Sequence, residues 1–533
     1  MTMTESTHRS PVTLTILASV LSLATLASAQ PPATPAPASA PAPANSPAPA
    51  TAPEPAAAPA APTEFAPAAL AIHAKVNELN IAMNADAGSD STLDNAWEKL
   101  VAAHAAFEES LIGVIGPKDN WGNLQNWPAY AEIFDPGSTR AASPESRALN
   151  TNIAHQHMAA LVKSGFFDRL DEAARSPRAV RTLPDKPGVW DGRLLAFQPP
   201  LMREARLLAT IVCAQIKLDL VRNDPAAAAR RFEGGIAMAR VFATQWSMFD
   251  RNTSDAIVVQ MLDIVRRHIL ESDPNPVFLD GVAAAMERQF ALLPPASFVV
   301  AGQRLVAQDM FRWCYADRDT GDGVALPGPM LEAAELGGNN VDLFFQTDFA
   351  PRSQTQEKVA AFFDQAEAMI RVPRYERSDR MGFLADAVDK APEDLRTPVL
   401  PIVAFIVQRA FAAADELATE RDGMRVLVAL ERHRIRTGKY PADLNALVPT
   451  ELPALPIDRF TGKTFIYRTL EKGQDRLALA HPRIARDRGY LLYRPGHDGK
   501  DNNAESLDGN AIIRALRPGQ EGENKDFVIN RLP

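Results

Sequence analysis

The chain has 533 residues, 46% hydrophobic and 23% charged, with a formal net charge of −9 at pH 7. That length predicts two or more domains, and an acidic balance with Lys and Arg scattered among acids argues against nucleic-acid binding, which needs a clustered basic face. Two cysteines, Cys213 and Cys314, exclude a disulfide framework and leave either one bridge or two separately buried thiols.

At the N-terminus His8 and Arg9 precede a mostly apolar run from Val12 to Leu26, then Ala27-Ser28-Ala29. This pattern predicts a signal peptide over residues 1–29 and export to the periplasm or cell envelope. The run is shorter than the roughly 20 residues that span a bilayer. An uncleaved signal anchor is the alternative, and no later transmembrane span is expected. Residues 30–63 are almost entirely Pro and Ala, with no apolar side chain larger than Ala between Pro31 and Pro62. Such a segment cannot build a core and predicts a disordered, extended linker.

Residues 64–420 read as an α-helical domain. Leu207, Ile211, Ala214, Leu218 and Val221 recur at three- and four-residue steps, which places one apolar stripe on a helix face. Asn223-Asp224-Pro225 then ends that helix, caps the next and suits its first turn, predicting an antiparallel hairpin of tetratricopeptide type. Further helices are expected through Ile257, Met261 and Ile264, through Val299 to Trp313, and behind a capping box at Ser353 to Gln356. A long helix from about Pro401 to Thr437, with Gly423 inside it, links this region to the next.

Residues 421–533 change character. Pro441 opens a short helix through Leu444 and Leu447, which Pro449, Pro453 and Pro456 stop. Asp458 to Lys463 is a turn, and strands are expected at Phe465 to Arg468, Gly489 to Tyr493 and Asp526 to Ile529. The fold class is therefore α+β, a mostly α-helical array followed by a helix packed on a short antiparallel sheet.

Gly438, Tyr440, Pro441, Leu444 and Leu447, then Asp458, Phe460, Gly462, Phe465 and Tyr467, then Tyr490, Tyr493, Gly496, Asp498 and Gly499 stand in a family's order and spacing. About a fifth of the chain resembles the globular domain of the major pseudopilin of type II secretion. In that family the loop after the tyrosine strand binds calcium, so the resemblance implies Asp498, Asp501 and Asp508 as calcium ligands, with Asn503 and Glu505 beside them. Calcium takes six to eight hard oxygens from a flexible loop, which this composition supplies. A solvated acidic loop is the alternative. The prepilin leader and its membrane-spanning half-helix are missing, and Leu470 to Arg488 reads as an insertion between strands, so assembly into a pseudopilus is not expected.

Signatures of a nucleophile elbow, a zinc protease, a phosphate loop and a dinucleotide fold are absent from the sequence. His155 and His157, two apart on a helix, point away from each other and cannot share an ion. Asp317, Asp319 and Asp322 form a second acidic loop, which suits calcium binding, an acid and base pair for glycoside hydrolysis, or a solvated turn with Arg318 as counter-ion. Trp121, Trp127 and Tyr130 suit either an aromatic platform or loop plugs on the core. Two function classes follow: a non-enzymatic envelope scaffold with a protein partner, and an exported hydrolase with an acidic, metal-assisted site.

Overall fold

Helix starts and stops written in the sequence set the architecture of the computed structural model, which describes residues 64–84, 94–116, 129–134, 144–184, 186, 190–317, 322–336, 349–377, 380–389, 396–397, 399–470, 489–496, 500–501 and 526–530. The signal and linker expectations for 1–63, and those for Trp121, Trp127, Asp319, Asp498, Asn503, Glu505 and Asp508, lie outside these residues. The architecture is mostly helical with small antiparallel sheets.

The helix α1 (Pro67–Ala82) begins on a proline, whose missing N–H costs nothing in a first turn. Behind it come α2 (Ala96–Ile115), α3 (Ala129–Phe134), α4 (Pro144–Lys163) and α5 (Phe166–Arg175). Next, α6 (Met202–Val221) and α7 (Pro225–Ala243) form the expected hairpin. Asn223 takes the left-handed conformation at φ 58°, and Asp224 Oδ1 accepts a hydrogen bond from Ala227 N at 3.0 Å. Leu207, Ile211 and Ala214 are buried, but the stripe runs out of the core before Val221, which is exposed at the hairpin tip.

Buried around most of its circumference, α7 is surrounded by α5, α6, α8 (Met248–Glu271) and α9 (Pro276–Ala291). Its small residues make that possible. The helix α10 (Ser297–Cys314) passes the backbone at Trp246 so closely that a Cβ at Gly302 would lie 2.1 Å from the Trp246 carbonyl oxygen. Cys213 and Cys314 are free and buried.

After α10 the chain makes a hairpin that the sequence reading did not foresee. Strand β1 (Tyr315–Ala316) pairs antiparallel with β2 (Val324–Ala325). The helices α11 (Pro327–Leu336), α12 (Arg352–Met369), α13 (Arg374–Arg377) and α14 (Gly382–Asp389) follow. The capping box at Ser353 to Gln356 is not formed. The helix starts two residues earlier, at Arg352 behind Pro351, and its open N-terminus is served from another part of the chain.

A single helix, α15 (Val399–Thr437), runs for 39 residues and belongs to two buried clusters. Ile402, Val403, Val407 and Phe411 join α1, α10, α11, α12 and α14, while Leu417, Met424, Leu427 and Val428 join α2 and α4 to α9. Gly438 at φ 79° ends it, with its N–H on Arg434 O at 2.7 Å. The short helix expected after Pro441 shrinks to one tight turn, Leu444–Leu447.

The C-terminal sheet has the order β3 (Ile466–Thr469), β4 (Tyr490–Arg494), β5 (Phe527–Val528), all antiparallel. The central strand β4 is buried on both faces. Tyr490 and Leu492 join the cluster of α2 and α4 to α9, and Leu491 and Tyr493 meet Val528 on the other side. A Cβ at Gly423 would come within 2.6 Å of Ile529, so the glycine lets the last described segment lie against α15. Among the described residues no helix is long and apolar enough to cross a membrane.

Candidate functional site

The densest concentration of buried charge lies where α15 meets the sheet. Asp415, Glu416, Thr419 and Glu420 are all buried, although a helix carrying acids at adjacent positions reads as a solvent face. Each acid has an arginine from a different element: Asp415 pairs with Arg377 of α13, Glu420 with Arg266 of α8, and Glu416 with Arg494 of β4 at 2.7 Å. Buried charges persist when paired and hydrogen-bonded in this way. Burial pushes the Asp415 carboxyl up to about 6, against the pull of Arg377.

Arg494 is 1% exposed and is the centre of the arrangement. Its guanidinium lies 3.9 Å from the centroid of Phe460 and 4.9 Å from that of Phe527. It also donates to Pro495 O at 3.0 Å, and its Nε stands 4.0 Å from Asp458. Asp458 in turn closes the 458–463 turn, accepting from Phe460 N at 3.2 Å, Thr461 N at 3.1 Å and Thr461 Oγ1 at 2.8 Å. Tyr375 N donates to Arg459 O at 3.1 Å and Arg374 stacks on Phe460, so α13 docks on the same turn. Gly438-Lys439-Tyr440-Pro441 serves this region too. The Tyr440 ring meets Tyr490 at 4.7 Å and its hydroxyl donates to buried Glu431 at 2.6 Å.

Of the residues suggested as calcium ligands, Asp501 alone is described. Both its oxygens are engaged, one by Arg468 at 2.5 Å and the other by the Tyr493 hydroxyl at 3.0 Å. In the second acidic loop, Asp317 pairs with Arg352 at 2.6 Å, and Asp322 accepts from Ser353 N at 3.1 Å and Ser353 Oγ at 2.6 Å. These hydrogen bonds hold Asp322 below the usual carboxylate range. Asp322 thereby caps α12, where negative charge is favoured. Among the described residues no group of three His, Cys, Asp or Glu side chains is placed to hold a metal ion.

His155 is exposed and His157 buried, on opposite sides of α4 as the two-residue spacing requires. Tyr130 is buried against His157 as a plug on the core. The three polar groups here fix one tautomer. Ser110 donates its hydroxyl proton to Phe107 O at 2.8 Å, so its oxygen accepts from His157 Nε2–H at 2.9 Å. Nδ1 is then the acceptor, and the Tyr130 hydroxyl donates to it. Burial pushes the His157 imidazole down to about 4 and the Tyr130 hydroxyl up.

That shift gives a pH prediction. The folded pKa lies below the usual 6.5, so the unfolded chain binds the proton first as pH falls, and stability is lost from about pH 6.5 down to about 4. The loss attributable to this residue reaches about 3 kcal/mol at the low end. Urea unfolding at pH 7 and at pH 4.5 is expected to show a smaller difference for His157→Gln than for the wild type. An identical difference would contradict the assignment.

Comparison of the chain with protein-family models, with curated proteins and with solved structures finds no match. The site residues that sequence reasoning missed are Asp415, Glu416, Glu420 and Arg494. The available signal was the cluster of acids inside an otherwise apolar and small-residue stretch of helix, together with an arginine ending a strand of aromatic and aliphatic residues.

Proposed function

We propose that this chain is an exported envelope protein acting as a non-enzymatic interaction scaffold, with a pseudopilin-like helix and sheet at its C-terminal end. The observation that supports this most is where the charge is spent. Arg494, Glu416, Asp415, Arg377 and Asp458 tie sheet, turn and helices to one another, and Asp317 and Asp322 secure the start of α12. A rigid frame suits holding a partner at a fixed place. The test is cell fractionation followed by crosslinking of the intact chain in its own cells. Recovery with the envelope fraction and one discrete adduct is expected; a cytosolic protein with no adduct would overturn the reading.

Calcium enters this reading through Asp498, Asp501 and Asp508. An ion held by Asp501 must first displace Arg468 from it, and the released guanidinium would still lie over the Tyr493 ring, whose centroid is 5.4 Å away. In protein stripped with chelator, added calcium is expected to raise the unfolding midpoint, and Asp498→Ala to remove the rise. A ligand at 100 times its dissociation constant adds about 2.7 kcal/mol. An unchanged midpoint would leave Asp501 as the counter-ion of Arg468 and remove calcium from the proposal.

A further inference from the structure

Behind α5, residues 176–183 run in neither helix nor sheet, apart from a single bridge of Arg178 to Asn95. Irregular backbone held inside a protein must find partners for its N–H and C=O groups. Here side chains from the surrounding helices supply them. Asn95, the cap of α2, accepts from Val180 N at 3.0 Å and donates to Val180 O at 2.9 Å, the pair of bonds a neighbouring strand would make. Along α1 and its end, Asn84 accepts from Ala179 N at 2.8 Å, Asn80 donates to Arg181 O at 2.9 Å, and Asn77 accepts from Leu183 N at 2.8 Å. From the end of α7, Thr244 and Gln245 both donate to Ala179 O, at 2.9 Å and 3.0 Å.

One side chain of the segment is anchored. Arg181, 5% exposed, makes a bidentate pair with Asp250 in the first turn of α8, at 3.0 Å and 2.8 Å. Its guanidinium carbon also lies 5.0 Å from the ring centroid of Trp97 and 5.3 Å from that of Phe197. A carboxylate fork beside aromatic faces selects arginine over lysine. When an extended peptide is recognised, main-chain hydrogen bonds supply affinity and a side-chain pocket supplies specificity, and both are built here.

We infer that α1, the start of α2 and the junction of α7 with α8 form a groove for an extended peptide with an arginine at its anchor position, and that the chain's own residues 176–183 occupy it. The partner class is an extended, arginine-bearing segment of another protein. The Asn, Thr and Gln contacts fall on backbone and serve any such segment alike. A tethered occupant competes at an effective concentration of about millimolar, so the groove stays shut to weak ligands and opens to stronger ones. This names a partner for the scaffold reading and rests on it in that respect; the peptide can fail to bind while fractionation still places the chain in the envelope, so the two fall separately.

The test is fluorescence anisotropy of a labelled synthetic peptide, residues 176–184 of this sequence, with the full chain and with its Arg181→Gln variant. The variant keeps the groove and weakens only its occupant. It is expected to bind the peptide at least about tenfold more tightly than the wild type does, and a control peptide with Gln at the anchor position should bind neither. The arginine peptide should also raise the unfolding midpoint of the variant. If the variant does not fold, the wild type decides: a peptide with a photoreactive group in place of the Val180 side chain, added in large excess, is expected to crosslink within residues 77–97 or 244–250. No binding to the folded variant, equal binding of the two peptides, or wild-type crosslinks that are absent or shared by the control peptide would overturn the groove.

Discussion

Replacing Arg494 with methionine is expected to loosen the C-terminal sheet from the helices at a cost of about 3–5 kcal/mol, the usual penalty for removing one partner of a buried ion pair. The substitution keeps the length of the side chain but takes the guanidinium from between Phe460 and Phe527 and its hydrogen bond from Glu416, which is 2% exposed. The carboxylate then remains where water cannot solvate it. Urea unfolding measures the loss, and limited proteolysis should show earlier cleavage between 489 and 530. Adding Glu416→Met is expected to recover most of it, because the uncompensated charge goes with the second change. Stability within about 1 kcal/mol of wild type for the single variant, a typical surface-like effect, would show that the joint is not held by this pair.

Gly302→Ala carries the second large effect, and with a sign opposite to the usual one. In the middle of a helix, alanine normally gains about 1 kcal/mol over glycine. Here the new Cβ would lie 2.1 Å from the Trp246 carbonyl oxygen and 2.9 Å from its carbon. The obstacle is backbone, which cannot rotate away as a side-chain tip can. Either α10 or the chain between α7 and α8 must shift, disturbing Trp246 and Phe298 in the second cluster. Overpacking of this kind costs typically 1–3 kcal/mol, and backbone displacement places this case at about 3 kcal/mol or above. Calorimetric unfolding of Gly302→Ala beside Gly328→Ala, where a Cβ meets nothing within 4 Å, isolates the contact. Equal midpoints for the two variants would contradict it.

Much of the frame was readable in the chain because its signals are local. The period of apolar residues, the Asn223-Asp224-Pro225 junction and the aromatic strand at Tyr490 to Tyr493 each act within a few residues. The long helix expected from about Pro401 to Thr437 lies at Val399–Thr437. What could not be read was joined from afar. Arg494 and Glu416 are 78 positions apart, and Arg266 and Glu420 are 154 apart. On a helix, acids at 415, 416 and 420 look like a wetted side, and nothing nearby announces that cations will arrive to cover them. Ser353 failed as a cap for a related reason. Asp322, on a separate hairpin, accepts from Ser353 N, the donor that the Gln356 side chain would take in a capping box.

Because α15 is a wall of both cores, and Ile529 seals its flank at Gly423, the piece that finishes the interior is translated after everything it closes upon. Until that segment emerges, the Gly423 side of α15 has no lid, and the helices of the first core hold an open seam. A nascent chain that has passed Gly423 but not yet reached Ile529 therefore lacks this contact, which joins positions far apart in the sequence.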